Sequence, residues 1–168
     1  LRRSTASENA GRRVGLEFAA PDKRPSRRGK IRGVVVGGRV GAVALSQPVF
    51  AAMQLLPLAE RPQLRHQAGK RNVELVPQEY RSASVDADVT AFIDDMAAAY
   101  DWADLVICRS GAMTVAEIAA AGVAAMFVPY QQAMYDHQTL NASFLDDKQA
   151  AILLPQDVKS MWLLASVI

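Results

Sequence analysis

Residues 89–122 have the sequence VTAFIDDMAAAYDWADLVICRSGAMTVAEIAAAG, and this stretch decides the fold class. Val89–Ile93 and Leu105–Cys108 are short apolar runs without polar alternation, which predicts strands that are buried on both faces. The alanine-rich segment between them starts with acidic residues, which helix N-termini favour. A second helix is predicted over Thr114–Ala121, where Gly122 ends it. The stretch therefore predicts strand, helix, strand, helix.

The same alternation continues on both sides of this stretch. Ile31–Val36 is another β-branched apolar run, and we expect the helix after it to be interrupted or kinked at Pro48. A helix is predicted over Lys70–Arg81, although Pro77 argues against a continuous one. The other predicted elements are strands at Leu64–Gln67, Ala124–Val128 and Ala150–Leu154 and a helix from about His137 to Asp147. Apolar strands that alternate with helices predict an α/β fold with a parallel sheet and helices on both of its faces.

Composition and charge divide the chain into two parts. The 168 residues are 51% hydrophobic and 21% charged, as in an ordinary globular domain. Residues 1–32 contain ten basic and three acidic residues, whereas the remainder contains nine basic and 14 acidic ones. We therefore expect a basic arm or linker at 1–30 and one folded domain at 31–168. The arm lacks the interleaved aromatic residues of a nucleic-acid-binding surface, so no nucleic-acid partner is expected. The remaining interpretations of the arm are a solvated linker and a segment that contacts an anionic membrane.

The turns after the predicted strands are the candidate sites, because ligands of parallel sheets bind beyond the carboxyl ends of the strands. The first turn, GGRVGA at 37–42, follows a strand and opens a helix, so its backbone N–H groups could hold a phosphate. Arg39 stands where the dinucleotide fingerprint needs its second glycine. A tight turn that merely needs glycine is the equal alternative.

The second turn, at 109–112, opens another helix and again offers N–H donors. Thr114 and Glu117 have the spacing of a capping box, in which both side chains satisfy the helix N-terminus. Glu117 could instead bind hydroxyl groups such as a ribose diol. On spacing alone the capping box is the favoured interpretation.

The third turn carries a run of polar side chains at 135–141. Gln138 and Asn141 are three residues apart and share a helix face, which suits recognition of sugar hydroxyls. The alternative is an ordinary helix start with Asp136 as its cap. His66 and His137 have no second ligand at metal-binding spacing, so no metal site is expected.

Five segments together resemble one enzyme family. VVVGGRVGA, RHQAGKRN, the stretch at 89–122, FVPY and DHQTLNA occur in this order over roughly residues 31–156. They are similar to the UDP-N-acetylglucosamine:lipid I N-acetylglucosaminyltransferases of peptidoglycan synthesis. The resemblance implies a Rossmann-like domain that forms one half of a GT-B glycosyltransferase. The sequence departs from the family pattern at Arg39, where serine is usual, and at Ala124 and Gln132.

The resemblance also implies the roles of individual residues. The backbone of Ile93 would hold the uracil with Met96 nearby, and Glu117 would bind the ribose hydroxyls. The turn Ala112–Thr114 would hold the diphosphate, and Gln138 and Asn141 would bind the sugar. The full set implied for UDP-N-acetylglucosamine is Arg39, Ile93, Met96, Ala112, Met113, Thr114, Val115, Ala116, Glu117, Gln138 and Asn141.

The implied activity is the inverting transfer of N-acetylglucosamine from UDP-N-acetylglucosamine to lipid I, which forms lipid II for cell-wall biogenesis, cell shape and cell division. No metal and no cofactor is expected. The lipid I site and the catalytic residues would lie in an N-terminal domain outside this chain, so the chain alone is expected to be inactive. The domain is expected to lack its last helices, and the enzyme to be peripheral at the cytoplasmic face of the bacterial inner membrane. A stand-alone nucleotide-sugar-binding module and a degenerate inactive fragment are the alternatives.

Overall fold

The structure is a computed structural model that describes residues 29–128, 141, 151–154 and 165–166, with only the backbone for 38–44. The described strands are β1 (Arg32–Val36), β2 (Gln63–Gln67), β3 (Ala87–Thr90), β4 (Leu105–Cys108), β5 (Ala124–Phe127) and β6 (Ala151–Leu153). The described helices with full bounds are α1 (Gly38–Leu55), α2 (Val76–Ser82), α3 (Met96–Trp102) and α4 (Ala112–Ala121).

All six strands form one parallel sheet in the order β3-β2-β1-β4-β5-β6. The central strand β1 pairs with β2 on one side and with β4 on the other, so that Val35 lies beside both His66 and Ile107. From β1 the chain moves towards β2, whereas from β4 it moves towards β5. The strand order therefore reverses between β1 and β4, which makes this the topological switch point of the sheet.

The two faces of the sheet carry separate hydrophobic cores. Residues of α1 and α2 pack with Val35, Ile107 and Met126 on one face. Residues of α3 and α4 pack with Val34 and Phe127 on the other. The prediction of a parallel sheet covered by helices on both faces is confirmed. None of the helices in the described part of the chain combines the length and apolar character needed to cross a bilayer.

The predicted interruption at Pro48 is wrong, whereas the prediction that Pro77 prevents a continuous helix over 70–81 is confirmed. Helix α1 runs through Pro48 without interruption, although an interior proline costs about 3 kcal/mol of helix stability. Burial of Leu45, Val49 and Met53 on the same helix offsets that cost. Pro77 lies in the first turn of α2, where its missing N–H has no intrahelical acceptor anyway. The helix predicted from Lys70 therefore begins only at Val76.

Strand β3 ends at Thr90, three residues earlier than predicted from the apolar residues that follow it. The Thr90 carbonyl accepts the last bond of the parallel ladder, from the Ala68 N–H at 2.9 Å. The Ile93 N–H then donates to a side chain, Gln67 Oε1, at 3.1 Å. The chain thus leaves the sheet here and forms a loop. The helix predicted from about His137 to Asp147 lies outside the described residues, except for Asn141, which is helical.

His66 is buried at the centre of a hydrogen-bonded group that joins β2 to α1 and α2. Its Nδ1 lies 2.7 Å from the Tyr80 hydroxyl and its Nε2 lies 3.3 Å from Ser46 Oγ. Burial lowers the pKa of His66 to about 4. The imidazole is therefore neutral in the folded protein at neutral pH and serves as a structural link between three elements.

This lowered pKa predicts a loss of stability in acid. Between about pH 6.5 and pH 4 the unfolded chain protonates at His66 while the folded chain does not, so the free energy of unfolding falls as the pH falls. The full loss from this residue is about 3 kcal/mol. Urea unfolding at several pH values measures it. In His66→Gln, which cannot titrate at this position, the free energy of unfolding should fall by about 3 kcal/mol less across this window than in the wild type. An equal fall in both proteins would contradict the assignment.

Candidate functional site

Two helix N-termini open side by side at the switch point. Gly37 alone separates β1 from α1, and three residues separate β4 from α4. Val36 and Cys108 are register partners at the ends of the two strands, so both helices begin at the same edge of the sheet. The N-cap residues are Gly37 and Gly111, which have no side chain to accept the first-turn N–H groups. Both termini therefore present backbone donors and the positive ends of their dipoles.

The first turn of α4 is the better described of the two. The helix starts at Ala112, and the Val115 N–H donates to the Gly111 carbonyl at 2.9 Å. Thr114 is therefore the third residue inside the helix and not its cap, so the capping-box interpretation of Thr114 and Glu117 is wrong. Ala112 is exposed, whereas the side chains of Val115 and Ala116 are buried.

Glu117 lies about one turn further along α4 and is half-buried. The Tyr100 hydroxyl on α3 donates to Glu117 Oε2 across 3.4 Å. Burial raises the pKa of Tyr100 above its usual range, and the neighbouring Cys108 and Glu117 side chains raise it further. The tyrosine therefore stays protonated at neutral pH and remains a hydrogen-bond donor to the carboxylate.

Two long-range contacts hold the turn between β4 and α4. Arg109 is buried and donates from Nη1 to the Val128 carbonyl at 2.8 Å, which links the ends of β4 and β5. Asn141 donates from Nδ2 to the Ser110 carbonyl at 3.2 Å. The structure thus places Asn141 beside the turn that leads into Ala112.

The loop between β3 and α3 carries Ile93 at the same edge of the sheet and leads directly into Met96, the first residue of α3. Its start is fixed at the end of the β2–β3 ladder and its middle by the bond from Ile93 to Gln67. Its end is fixed by Asp95, the N-cap of α3, which accepts the Ala98 N–H at 2.8 Å. Sequence reasoning did not single out Gln67, since only the fold brings β2 beside this loop.

The structure gives only the backbone for one residue of the predicted set and does not describe another. The backbone of Arg39 lies in the first turn of α1, and Gln138 lies outside the described residues. The structure brings the others to the carboxyl edge of the sheet: in the loop before α3, at the first residue of α3, in the first two turns of α4 and beside Ser110.

A parallel sheet of this strand order, with two glycine-capped helix N-termini at its switch point, defines a Rossmann-like domain, a class that binds its ligands at this edge. Residues 34–168 match the sequence model of the glycosyltransferase family 28 C-terminal domain. The chain belongs to this family.

Curated relatives agree with this assignment. The chain is 51% identical to a protein of Cupriavidus metallidurans over 155 residues, which are 90% of this chain and 44% of that protein. It is 58% identical to one of Bordetella parapertussis over 130 residues, 77% of this chain and 36% of that protein. Both relatives are named UDP-N-acetylglucosamine--N-acetylmuramyl-(pentapeptide) pyrophosphoryl-undecaprenol N-acetylglucosamine transferase. The chain spans less than half the length of each.

Solved structures confirm the fold as one half of a GT-B glycosyltransferase. The crystal structure of Acinetobacter baumannii MurG matches 89% of this chain and 45% of its own, at 39% identity and a TM-score of 0.77. The glycotransferase of kitacinnamycin matches 93% of this chain and 37% of its own, with a TM-score of 0.62 at 18% identity. The second likeness concerns the fold alone.

The contact between Gln67 and Ile93 predicts local protection of one amide. In Gln67→Leu the Ile93 N–H loses its acceptor, and its hydrogen exchange should become about tenfold faster, in line with the loss of one hydrogen bond. Gln67→Glu keeps an acceptor oxygen and should preserve the protection. Amide exchange followed by NMR measures both.

Gln63→Leu is the matched control, because Gln63 is exposed at the other end of β2 and bonds to Asp86 instead. It should leave exchange at Ile93 unchanged. Equal exchange at Ile93 in the wild type and in Gln67→Leu would show that the contact does not hold the loop.

Proposed function

We propose that this chain is the donor-binding half of an inverting glycosyltransferase that moves N-acetylglucosamine from UDP-N-acetylglucosamine to lipid I, which forms lipid II. The names of the curated relatives support this activity. The observation that carries the proposal for this chain is the start of α4, where open backbone donors and the Glu117 carboxylate lie about one turn apart. These are complementary to a diphosphate and to a ribose.

The diphosphate binds at the first turn of α4 in this proposal. The N–H groups of Ala112, Met113 and Thr114 face the start of the helix, and the dipole favours negative charge there. As the bond to the sugar breaks, charge develops on the departing UDP, and preorganised donors stabilise that charge. Arg39 is a positively charged residue in the first turn of α1, the other helix that begins at this edge. We assign it to the same phosphates.

The nucleoside lies across the ends of β3 and β4. A carboxylate only accepts hydrogen bonds, and a ribose diol offers two hydroxyl donors, so Glu117 is suited to the ribose. The end of its side chain is reached by Tyr100 from one side. Ile93 and Met96 are half-buried and pack against the core of the α3 and α4 face, and they form the wall that we assign to the uracil.

The sugar is assigned to Asn141 together with Gln138. Since the Asn141 amide nitrogen donates to the Ser110 carbonyl, its oxygen is the group that would accept from a sugar hydroxyl. Val115 and Ala116 support the first turn of α4 from the core. We therefore assign to them an indirect contribution to binding: they hold the first turn of α4 in place and do not contact the ligand through their side chains.

The chain spans less than half of each curated relative, which leaves room for the acceptor half of the reaction in the remainder. We assign lipid I and the catalytic base to that part. The excess of basic residues in 1–30 suits an anionic membrane surface, and we assign the complete enzyme to the cytoplasmic face of the membrane. Its product would serve peptidoglycan synthesis and, through it, cell shape and division.

A thermal-shift titration tests the donor site. UDP-N-acetylglucosamine should raise the melting temperature in a saturable way, because a ligand at 100 times its Kd stabilises the fold by about 2.7 kcal/mol. UDP should act similarly, whereas NAD should not. Glu117→Ala should lose most of the shift.

Glu74→Ala is the control, since Glu74 is an exposed glutamate in the segment before α2, and it should keep the wild-type shift. A cooperative melt that does not respond to any uridine nucleotide would overturn the proposed donor site.

A further inference from the structure

We propose that Tyr100 is a positioning residue that holds the Glu117 carboxylate in the orientation that binds the ribose. The inference rests on the proposed function of Glu117. It concerns a residue on a different helix, which contacts Glu117 through its hydroxyl. Tyr100 acts on the ligand only through that carboxylate.

The first support is the contrast in freedom between the two side chains. Tyr100 is 1% exposed and packs in the core between the sheet and the helices α3 and α4. Its ring cannot change rotamer without disturbing that core. Glu117 is half-exposed and has three rotatable side-chain bonds, so ordering it costs conformational entropy on binding. A fixed hydroxyl beside the carboxylate reduces that cost before the ligand arrives.

The second support is the use of the carboxylate oxygens. The Tyr100 hydroxyl lies 3.4 Å from Oε2 of Glu117, a long hydrogen bond that nevertheless sets which oxygen turns towards α3. A carboxylate has about four lone-pair sites, so it can accept from the tyrosine and from a diol together. A neutral tyrosine also leaves the negative charge of the carboxylate intact for the ligand.

A purely structural role for the Tyr100 hydroxyl makes a different prediction. Buried hydroxyl groups need hydrogen-bond partners for stability alone, and removing one would then weaken all ligands equally or none. A positioning role instead weakens only those ligands that carry ribose hydroxyls. UDP and 2′,3′-dideoxy-UDP separate the two roles, because they share the base and the diphosphate and differ only in the diol.

The experiment measures the Kd of the 168-residue chain for these two nucleotides by isothermal titration calorimetry. Tyr100→Phe keeps the ring that fills the core and removes only the oxygen, and circular dichroism checks that it folds. It should raise the Kd for UDP about three- to tenfold, the range for one ordinary hydrogen bond, since this bond is long, and leave the Kd for dideoxy-UDP unchanged. Equal losses for both nucleotides, or no loss for either, would overturn the proposal.

Tyr80→Phe is the matched control. Tyr80 is equally buried, and its hydroxyl also has a side-chain partner, His66, but it lies on the opposite face of the sheet. This variant should leave both Kd values unchanged. If it lowers affinity for UDP alone, the selective loss in Tyr100→Phe does not report on Glu117, and the proposal fails.

Glu117→Gln separates this inference from the proposed function. If it leaves the ratio of the two Kd values unchanged, or if the wild-type chain does not bind UDP, the ribose assignment fails and Tyr100 has no role to play. If it changes the ratio while Tyr100→Phe does not, only the positioning role fails. The proposal predicts that the double variant binds UDP no more weakly than Glu117→Gln alone, because both changes remove one shared interaction.

Discussion

The place of β1 between β2 and β4 is the constraint on which the rest of the structure depends. Its parallel pairing on both sides, with right-handed crossovers, sends the following helices to opposite faces and leaves their N-termini together. Arg32 and Asp104 fix the other end of this pair, through an N–H to carboxylate bond of 2.9 Å and a backbone bond of 2.8 Å. Glycine at position 33 lets β1 and β2 pair at this point, because a Cβ there would lie 2.6 Å from the Leu64 side chain.

The parts of the fold that follow from local chemistry could be predicted from the sequence. Strand β4 has the predicted bounds because Leu105–Cys108 is apolar throughout and buried on both faces. Gly122 ends α4 in the left-handed conformation, as expected of a helix C-cap. The errors arose where tertiary contacts outweigh local preference. Burial carries α1 through Pro48, and the side chain of Gln67 takes the N–H that would have continued β3.

The candidate site was predictable as a set of turns but not as a set of contacts. Parallel strands bring their carboxyl ends to one edge, so the turn before Ala112 could be assigned from the order of elements. Spacing alone favoured a cap for Thr114, which the observed helix start excludes. The partners Tyr100 of Glu117 and Gln67 of Ile93 are 17 and 26 residues away in sequence, and no local pattern encodes such pairs. In the proposed site they are the residues that orient the Glu117 carboxylate and the loop at Ile93.

In the proposed site a uridine diphosphate lies at the carboxyl edge of the sheet, against the start of α4. Mapping backbone amide shifts by NMR during a UDP titration tests it most directly. We expect the largest changes at residues 111–114 and around Ile93, with little change at the opposite edge near Asp104 and Val123. Changes centred on that opposite edge, or none at saturating UDP, would contradict a diphosphate site at the start of α4.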